Sequence, residues 1–442
     1  MFMRFIDLFA GIGGTRLGFE AACSKAGIKA DCVFSSEIKQ YAIDAYQNNF
    51  GTENIAGDIT KVEPNKIPDF DFLLAGFPCQ PFSAAGSRQG FIDTRGTLFF
   101  DIERILRAKK PSGFLLENVE GLLNHDKTEK SKPYGRTLEI ILSKLRELGY
   151  KVTYQVLNAA NFGIPQNRKR IYILGSLDKE IPLEGFEQKE SKLGDVLEKG
   201  LPTLETSFAK LLLSKFSIQE LVGKAIKDKR GGQQNIHSWE IGLKGEVSRD
   251  QRELLGLLLK QRRQKKWAVY KGIQWMDGMP LTLSEISTFY KNKNLDKLLN
   301  DLVSKGYLRY EHPKDIIQKV TPDGKIKSVR AYAKDKEKGY NIVAGKLSFE
   351  ISKVLDPKEV TPTLVATDVT RLVVPDGNGI RHLTVREGLR LSGFPDWYTL
   401  DNIKYQEAFD LLGNTVIVPV IEMICERYLS QSKVISSSRL VA

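Results

Sequence analysis

Four side chains of this 442-residue sequence have types and surroundings that could carry covalent and acid–base chemistry: Cys79, Glu117, Arg168 and Arg170. Cys79 stands in Gly76-Phe77-Pro78-Cys79-Gln80-Pro81-Phe82-Ser83, one thiol between two prolines, just after the apolar run 70–75. Proline fixes φ and discourages regular structure, so the thiol is expected on a stiff loop at a strand's end. A lone cysteine is most often a small buried apolar side chain. Flanking prolines with polar Gln80 and Ser83 instead suit a presented nucleophile, which needs a rigid, polar, partly open loop. Glu117 closes the apolar run 112–116 beside Asn118. A carboxylate buried there is costly unless it is paired or used. Arg168 and Arg170 lie two residues apart, on one side of an extended segment, before the apolar run 171–174. They read either as a surface charge pair or as an anion-facing cluster.

These groups need a scaffold, and the first 175 residues have the pattern of one. Phe5-Ile6-Asp7-Leu8-Phe9 is a short buried strand, Ala10-Gly11-Ile12-Gly13-Gly14 a glycine turn, and a helical pattern follows through Ala22. Strand, glycine turn and helix open an α/β nucleotide-binding unit, although many such turns merely join strand to helix. Glycines allow close approach of a ligand, and the helix start offers free N–H groups. The second strand, near Cys32 to Ser35, ends in Glu37, where a carboxylate can accept two hydroxyls of a ribose. Gly57-Asp58-Ile59 is a further acidic strand end. Helices are expected from the Asp93-Thr94-Arg95-Gly96-Thr97-Leu98 segment to about Arg107 and from about Thr137 to Leu148.

Composition bounds the rest. Hydrophobic content of 41% and charged content of 27% are ordinary for a soluble globular protein. No stretch approaches the roughly 20 apolar residues of a membrane span, and no signal-peptide layout opens the chain. The cysteines at 23, 32, 79 and 425 form no CxxC pair, so neither a disulfide framework nor a metal site is expected, and a reducing cytoplasm fits best.

The net charge of +12 is segregated. Residues 186–360 hold 34 Lys+Arg and 23 Asp+Glu, a net of +11, leaving +1 for the remainder. Scattered lysines usually make a solvated face, but a block of this kind points to a polyanion, above all nucleic acid. Three segments are therefore expected: 1–185, 186–360 and 361–442. Within the basic block, a helix at 251–266, N-caps at Thr282 and Ser284, and a helix at 295–305 closed by Gly306 precede strands around Pro322-Asp323-Gly324. Helices followed by a hairpin suit a winged-helix-like module, as they suit many small α+β units. From about Thr361 the α/β style returns, ending in a helix that starts near Val418.

Taken in order, the motifs resemble the C5-cytosine DNA methyltransferase family. They are Asp7-Leu8-Phe9-Ala10-Gly11-Ile12-Gly13-Gly14, Glu37, Gly57-Asp58-Ile59, the Cys79 loop, Arg95-Gly96-Thr97-Leu98-Phe99, Glu117-Asn118-Val119 and Gln166-Asn167-Arg168-Lys169-Arg170. After the basic block come Arg381-His382-Leu383-Thr384-Val385-Arg386-Glu387, Gly393-Phe394-Pro395 and Gly413-Asn414-Thr415-Val416. Thr415 stands where the family usually has serine and keeps the hydroxyl. The resemblance implies a Rossmann-like, S-adenosylmethionine-dependent α/β core with an inserted, smaller α+β target-recognition domain. It places the cofactor against Phe9, Gly11, Ile12, Glu37, Ile38, Asp58, Ile59, Pro78, Leu98 and Asn414. It makes Cys79 the nucleophile towards cytosine C6, Glu117 the group holding N3 and the exocyclic amine, Arg170 a contact to O2, and Arg168 a support for the pocket or a phosphate. The loop from Ser83 to Gly96 is the expected lid over a flipped base.

The implied partner is double-stranded DNA, with no membrane, and the compact layout resembles a bacterial restriction–modification methyltransferase acting as a monomer beside a cognate endonuclease. Three rivals remain at this level. A cytosine-5 methyltransferase acting on tRNA would share the core; a non-catalytic DNA-binding regulator would keep the fold; a nicotinamide dehydrogenase would explain the glycine turn and Glu37 but not the cysteine loop.

Overall fold

The structure, a computed structural model, describes residues 2–51, 55–77, 98–129, 131–228, 234–320, 326–343, 349–365 and 368–432. Packing divides the chain into two units. The first is Met1–Lys199, Asp356–Thr370 and Leu383–Ala442; the second is Gly200–Leu355 with Arg371–His382.

In the first unit the apolar runs become β1 (Phe2–Leu8), β2 (Lys29–Ser36), β3 (Phe72–Gly76) and β4 (Gly113–Val119). The periodic segments between and after them become α1 (Gly14–Lys25), α2 (Gln40–Phe50), α3 (Leu98–Lys109) and α4 (Arg136–Glu147). β5 (Lys151–Asn158) and β6 (Lys169–Ser176) complete a six-stranded sheet in the order β2-β1-β3-β4-β6-β5. The first four strands are parallel, and β6 runs antiparallel to both β4 and β5. Helices cover both faces, which is why the strands read as unbroken apolar runs. Phe5, Phe72, Leu115 and Tyr172 face a core shared with Phe19 of α1 and with Ile421 and Tyr428 of the last helix, Val418–Gln431. Ile6, Leu73, Leu116 and Ile173 face the opposite core, with Ile102 of α3 and Ile141 of α4. Gly18 permits the close crossing of α1 and the last helix: a Cβ there would meet Ile421 at 2.6 Å.

β5 is absent from the sequence expectation. As the sheet's edge strand it leaves most of its residues only partly buried, and Thr153, Gln155 and Asn158 dilute the apolar signal. One stretch comes closer to a membrane span than the sequence reading allowed. Tyr405–Gln431 is long and apolar enough, by length and composition, to pass as a span. It is broken between Asn414 and Val418, and 67% of its apolar window is buried inside the protein.

The second unit carries a five-stranded sheet in the order Gly379–His382, Leu372–Asp376, Lys353–Val354, Ala225–Ile226, Asn235–Ile236. Val354 pairs with Val373 and so draws 371–382 into this unit. Composition placed the block at 186–360; strand pairing, which composition does not register, sets different limits. The expected helix at 251–266 is two: α5 (Arg249–Gln261) and α6 (Lys265–Lys271), separated by a turn at 262–264. Thr282 caps α7 (Leu283–Ser287) reciprocally with Glu285, and α8 (Leu295–Ser304) precedes Gly306 at φ 76°. β7 (Leu308–Glu311) pairs with β10 (Gly339–Ile342), and β8 (Lys314–Val320) with β9 (Ile326–Tyr332). Residues 321–325, with Pro322-Asp323-Gly324, lie outside the described residues.

Asp7 ties the start of the first unit together. Fully buried in β1, its Oδ1 accepts from the Thr15 hydroxyl of α1 at 2.6 Å and its Oδ2 from the Tyr46 hydroxyl of α2 at 3.4 Å. Burial pushes its pKa up to about 7, against the pull of those hydrogen bonds and of Arg16. The folded protein therefore keeps a proton that the unfolded chain loses from about pH 4, so stability is greatest at acid pH and falls as pH rises to about 7. Asp7→Asn is expected to remove this fall. Relative to wild type, its stability should gain progressively from pH 5 to pH 8, by roughly 3 kcal/mol. Denaturant midpoints at the two pH values test it; a variant with the wild-type pH dependence would refute the assignment.

Candidate active site

The sheet reverses its winding between β1 and β3, and a crevice is expected there at the strands' carboxyl ends. The glycine turn, Glu37, Gly76 and Glu117 all sit at those ends. β1 runs into Phe9 at φ 54°, then Gly11 at 53° and Gly13 at 75°. Gly13 is required on two counts, since its Cβ would lie 2.3 Å from the Phe50 ring. Gly11 faces the other way, with nothing within 4 Å of a Cβ built on it. Its N–H donates to Glu37 Oε2 at 2.8 Å, while Oε1 accepts the N–H groups of Ile38 and Lys39 at 2.8 and 2.9 Å. Three of about four carboxylate acceptor positions are thus filled by backbone, which locks the carboxylate beside the turn. Ile38 next to it is 73% exposed, a bare apolar side chain.

The other expected cofactor residues divide. Asp58 accepts from the N–H and hydroxyl of Thr60 at 3.1 and 2.7 Å, and these bonds hold its pKa below the usual carboxylate range. Ile12 and Ile59 are enclosed, and the Ile12 carbonyl accepts from Tyr398 at 2.7 Å. Their side chains shape the walls and offer a ligand no open face. Leu98 is half-buried at the start of α3. Asn414 is exposed, its amide held by the backbone and side chain of Asp410. Lys39 and Tyr41 grip Asp410 at 2.7 and 2.6 Å, which brings the Asn414 turn to the Glu37–Ile38 side of the crevice. Nothing in the local sequence signals this pairing of residues 371 apart. Pro78, Cys79 and the expected lid at 83–96 lie outside the described residues.

Glu117 stands opposite Gly76 in register, so the chain leaves β3 towards the Cys79 loop beside that carboxyl. Asn118 fastens the exit, donating to the Phe77 carbonyl at 2.9 Å. Glu117 is buried; Arg170 Nε lies 3.1 Å from its Oε1, but the N–H does not point at that oxygen, which accepts no hydrogen bond among the described residues. Desolvation pushes the Glu117 pKa up, against the pull of Arg170 and Arg168. Arg168 is only 3% exposed and donates to the carbonyls of Thr415 at 2.6 Å and Gly413 at 3.1 Å. Burial lowers its pKa to about 10. Arg168, expected as a support for the pocket or a phosphate, holds the 413–415 turn through its two terminal NH2 groups, while its buried Nε has no partner among the described residues. Gln166 adds a second tie, donating to Leu391 O at 2.8 Å and accepting from Leu364 N at 3.1 Å. The site thus combines an open glycine turn, a carboxyl poised to hold a proton, an adjacent guanidinium, and a strand end that launches a cysteine loop.

The model for the family described as C-5 cytosine-specific DNA methylase matches residues 3–430. The chain is 56% identical over 428 residues to Type II methyltransferase M.NlaIV of Neisseria lactamica, covering 97% of this chain and 99% of that protein. It is 55% identical over 428 residues to Type II methyltransferase M.NgoBV of Neisseria gonorrhoeae, with the same coverage. It is 41% identical over 454 residues to Type II methyltransferase M.BanI of Aneurinibacillus aneurinilyticus, covering 96% and 95% of the two chains. The match spans both units, and with it the order of motifs around the crevice has one explanation: the chain belongs to the C-5 cytosine-specific DNA methylase family.

Proposed function

We propose that the protein transfers a methyl group from S-adenosylmethionine to C5 of a cytosine flipped out of duplex DNA at a specific sequence, as the modifying enzyme of a restriction–modification system. The observation that carries this reading is Glu117: a buried carboxyl with a raised pKa, 3.1 Å from Arg170 and opposite the strand end that leads to Cys79. The crevice suits the cofactor. Gly11 is open to a ligand, Glu37 is fixed beside it, Ile38 offers an apolar face to a ring, and Asn414 is held nearby. When bound, the cofactor supplies an electrophilic methyl group on a sulfonium.

Cytosine C5 is a poor nucleophile in the intact aromatic ring. Addition of the Cys79 thiolate to C6 converts C5 into an enamine-like carbon able to take a methyl group. A protonated Glu117 donates to N3 as charge develops there, and its second oxygen accepts from the exocyclic amine. Arg170 stabilises O2. Loss of the C5 proton to a base, expulsion of Cys79 and return of the N3 proton to Glu117 restore the ring, the thiolate and the carboxyl. The basic block supports duplex DNA over tRNA as substrate, since reading a sequence requires reaching base edges in a groove. A monomer acting beside a cognate endonuclease in the cytoplasm completes the proposal.

Labelled methyl transfer to duplex DNA and to tRNA, run in parallel, tests the substrate; labelling of tRNA alone would overturn it. Cys79→Ala is expected to abolish both methylation and the covalent adduct with 5-fluorocytosine DNA, whereas undiminished adduct in a denaturing gel would remove Cys79 from the mechanism. Glu117→Gln should lower kcat by roughly 100- to 10,000-fold with DNA binding retained. Because Glu117 acts protonated, the wild-type rate should fall as pH rises past its raised pKa, and the Gln variant should lack that limb. A pH–rate profile identical in the two proteins would rule Glu117 out as the proton donor.

A further inference from the structure

The excess charge is narrower than the basic block. Residues 249–343 hold 21 Lys+Arg against 11 Asp+Glu, a net of +10 out of the chain's +12. In this segment helices α5 and α6 are followed by an extended residue, Leu281, then α7, α8, β7, the β8–β9 ribbon and β10. Leu281 bridges antiparallel to Tyr340, which in β10 pairs with Tyr310 of β7, so three short strands lie side by side. Leu254 and Leu258 of α5, Ile286 of α7 and Leu299 and Leu302 of α8 share one core with Leu308 and Ile342 of those strands. Helix, helix–turn–helix, small sheet and protruding ribbon are the parts of a winged-helix-like module.

Three features of this module present basic or polar side chains at the surface, although in the cleft Arg263 pairs with Asp277 at 3.1 Å and Arg330 lies over the Trp275 ring. None of the 14 residues of β8 and β9 is buried; Val320 and Ile326 are 65% and 70% exposed, and Lys319 stands directly opposite Lys327. Like charges opposed on an isolated ribbon destabilise it unless an anion lies between or beside them. At the ribbon's base, a cleft of about 590 Å³ is lined by Arg262, Arg263, Arg309, Lys314 and Arg330, against the acids Asp277 and Glu311. Arg262 is 8% exposed; one of its terminal NH2 groups donates to Asn341 and the Ile342 carbonyl, and its buried Nε has no hydrogen-bond partner among the described residues. At the start of α8, Lys291, Lys293, Asn294 and Lys297 are exposed, and the N-cap Asn294 makes no side-chain bond to its own helix.

We propose that this module is the duplex-DNA docking surface: the cleft and ribbon hold backbone phosphates, while Asn294 and Lys297 read base edges in a groove. The inference rests on the DNA substrate proposed above and adds which residues meet it. Lysine and arginine neutralise phosphates wherever they are presented, whereas an unengaged asparagine amide matches the donor–acceptor pair on an adenine edge.

The test uses the full-length protein and a fluorescent duplex carrying the sequence that bisulfite sequencing shows it to methylate. Lys319→Ala/Lys327→Ala is expected to weaken binding at least about 10-fold and to reduce the slope of log affinity against log salt by about 2. The melting temperature should stay as in wild type. Asn294→Ala should lose roughly 10- to 100-fold discrimination at one base pair of the methylated sequence and leave the others intact. Wild-type salt slope in the lysine variant, together with unchanged base preference in Asn294→Ala, would overturn the proposal. If wild type methylates no duplex, the reaction assigned above fails, while the salt titration on a generic duplex still decides whether the ribbon binds DNA.

Discussion

A carboxyl group sealed at the end of β4 is the constraint around which the first unit is arranged. Withdrawing a carboxylate from water costs several kcal/mol even after relaxation. A guanidinium 3.1 Å away returns about 5 kcal/mol at an effective dielectric constant near 20. The two effects nearly cancel, and small differences in alignment decide the sign. Here the Arg170 N–H is not aimed at Glu117, and Arg168 turns its terminal NH2 groups to backbone carbonyls, so desolvation wins and the pKa rises. A better-formed ion pair would keep Glu117 ionised and unable to donate a proton.

Holding that balance takes parts of the chain far apart in sequence. Arg168 and Gln166 reach Thr415, Gly413, Leu391 and Leu364, residues 196 to 247 positions away. Lys39 and Tyr41 reach Asp410 in the same way. These bonds end on backbone carbonyls, on the Leu364 N–H or on the Asp410 carboxylate, and they fix the turn that bears Asn414. The last helix closes the same unit by packing on α1 and β3, through Gly18 and the contact between the Phe72 and Tyr428 rings at 4.6 Å. The C-terminal stretch is therefore as much a part of the crevice as the motifs that begin the chain.

The second unit rests on different physics. Its cores are apolar in the ordinary way, but its surface concentrates positive charge on a ribbon too exposed to be stabilised by burial. Long-range attraction to a polyanion needs only net charge, which is why the block stood out in composition; reading a sequence needs individual side chains at set positions, which composition cannot supply.

By itself the sequence marked out the candidate residues for the chemistry and most of the strands that carry them. Proline-flanked Cys79, strand-end Glu117, the glycine turn and Glu37 are local signals, since φ restriction, close approach and strand termination act over a few residues. The parallel strands were legible for a related reason: burial on both faces leaves an unbroken apolar run. Tertiary structure alone decided the edge strand β5, whose half-exposed face blurs its pattern, and the assignment of 371–382 to the second unit through pairing with Val354. It also decided that Arg168 supports backbone while Arg170 faces the carboxyl, although the two are near neighbours of identical type. Hydrogen bonds and desolvation depend on what folding brings within a few ångströms, and that information is spread over the whole chain.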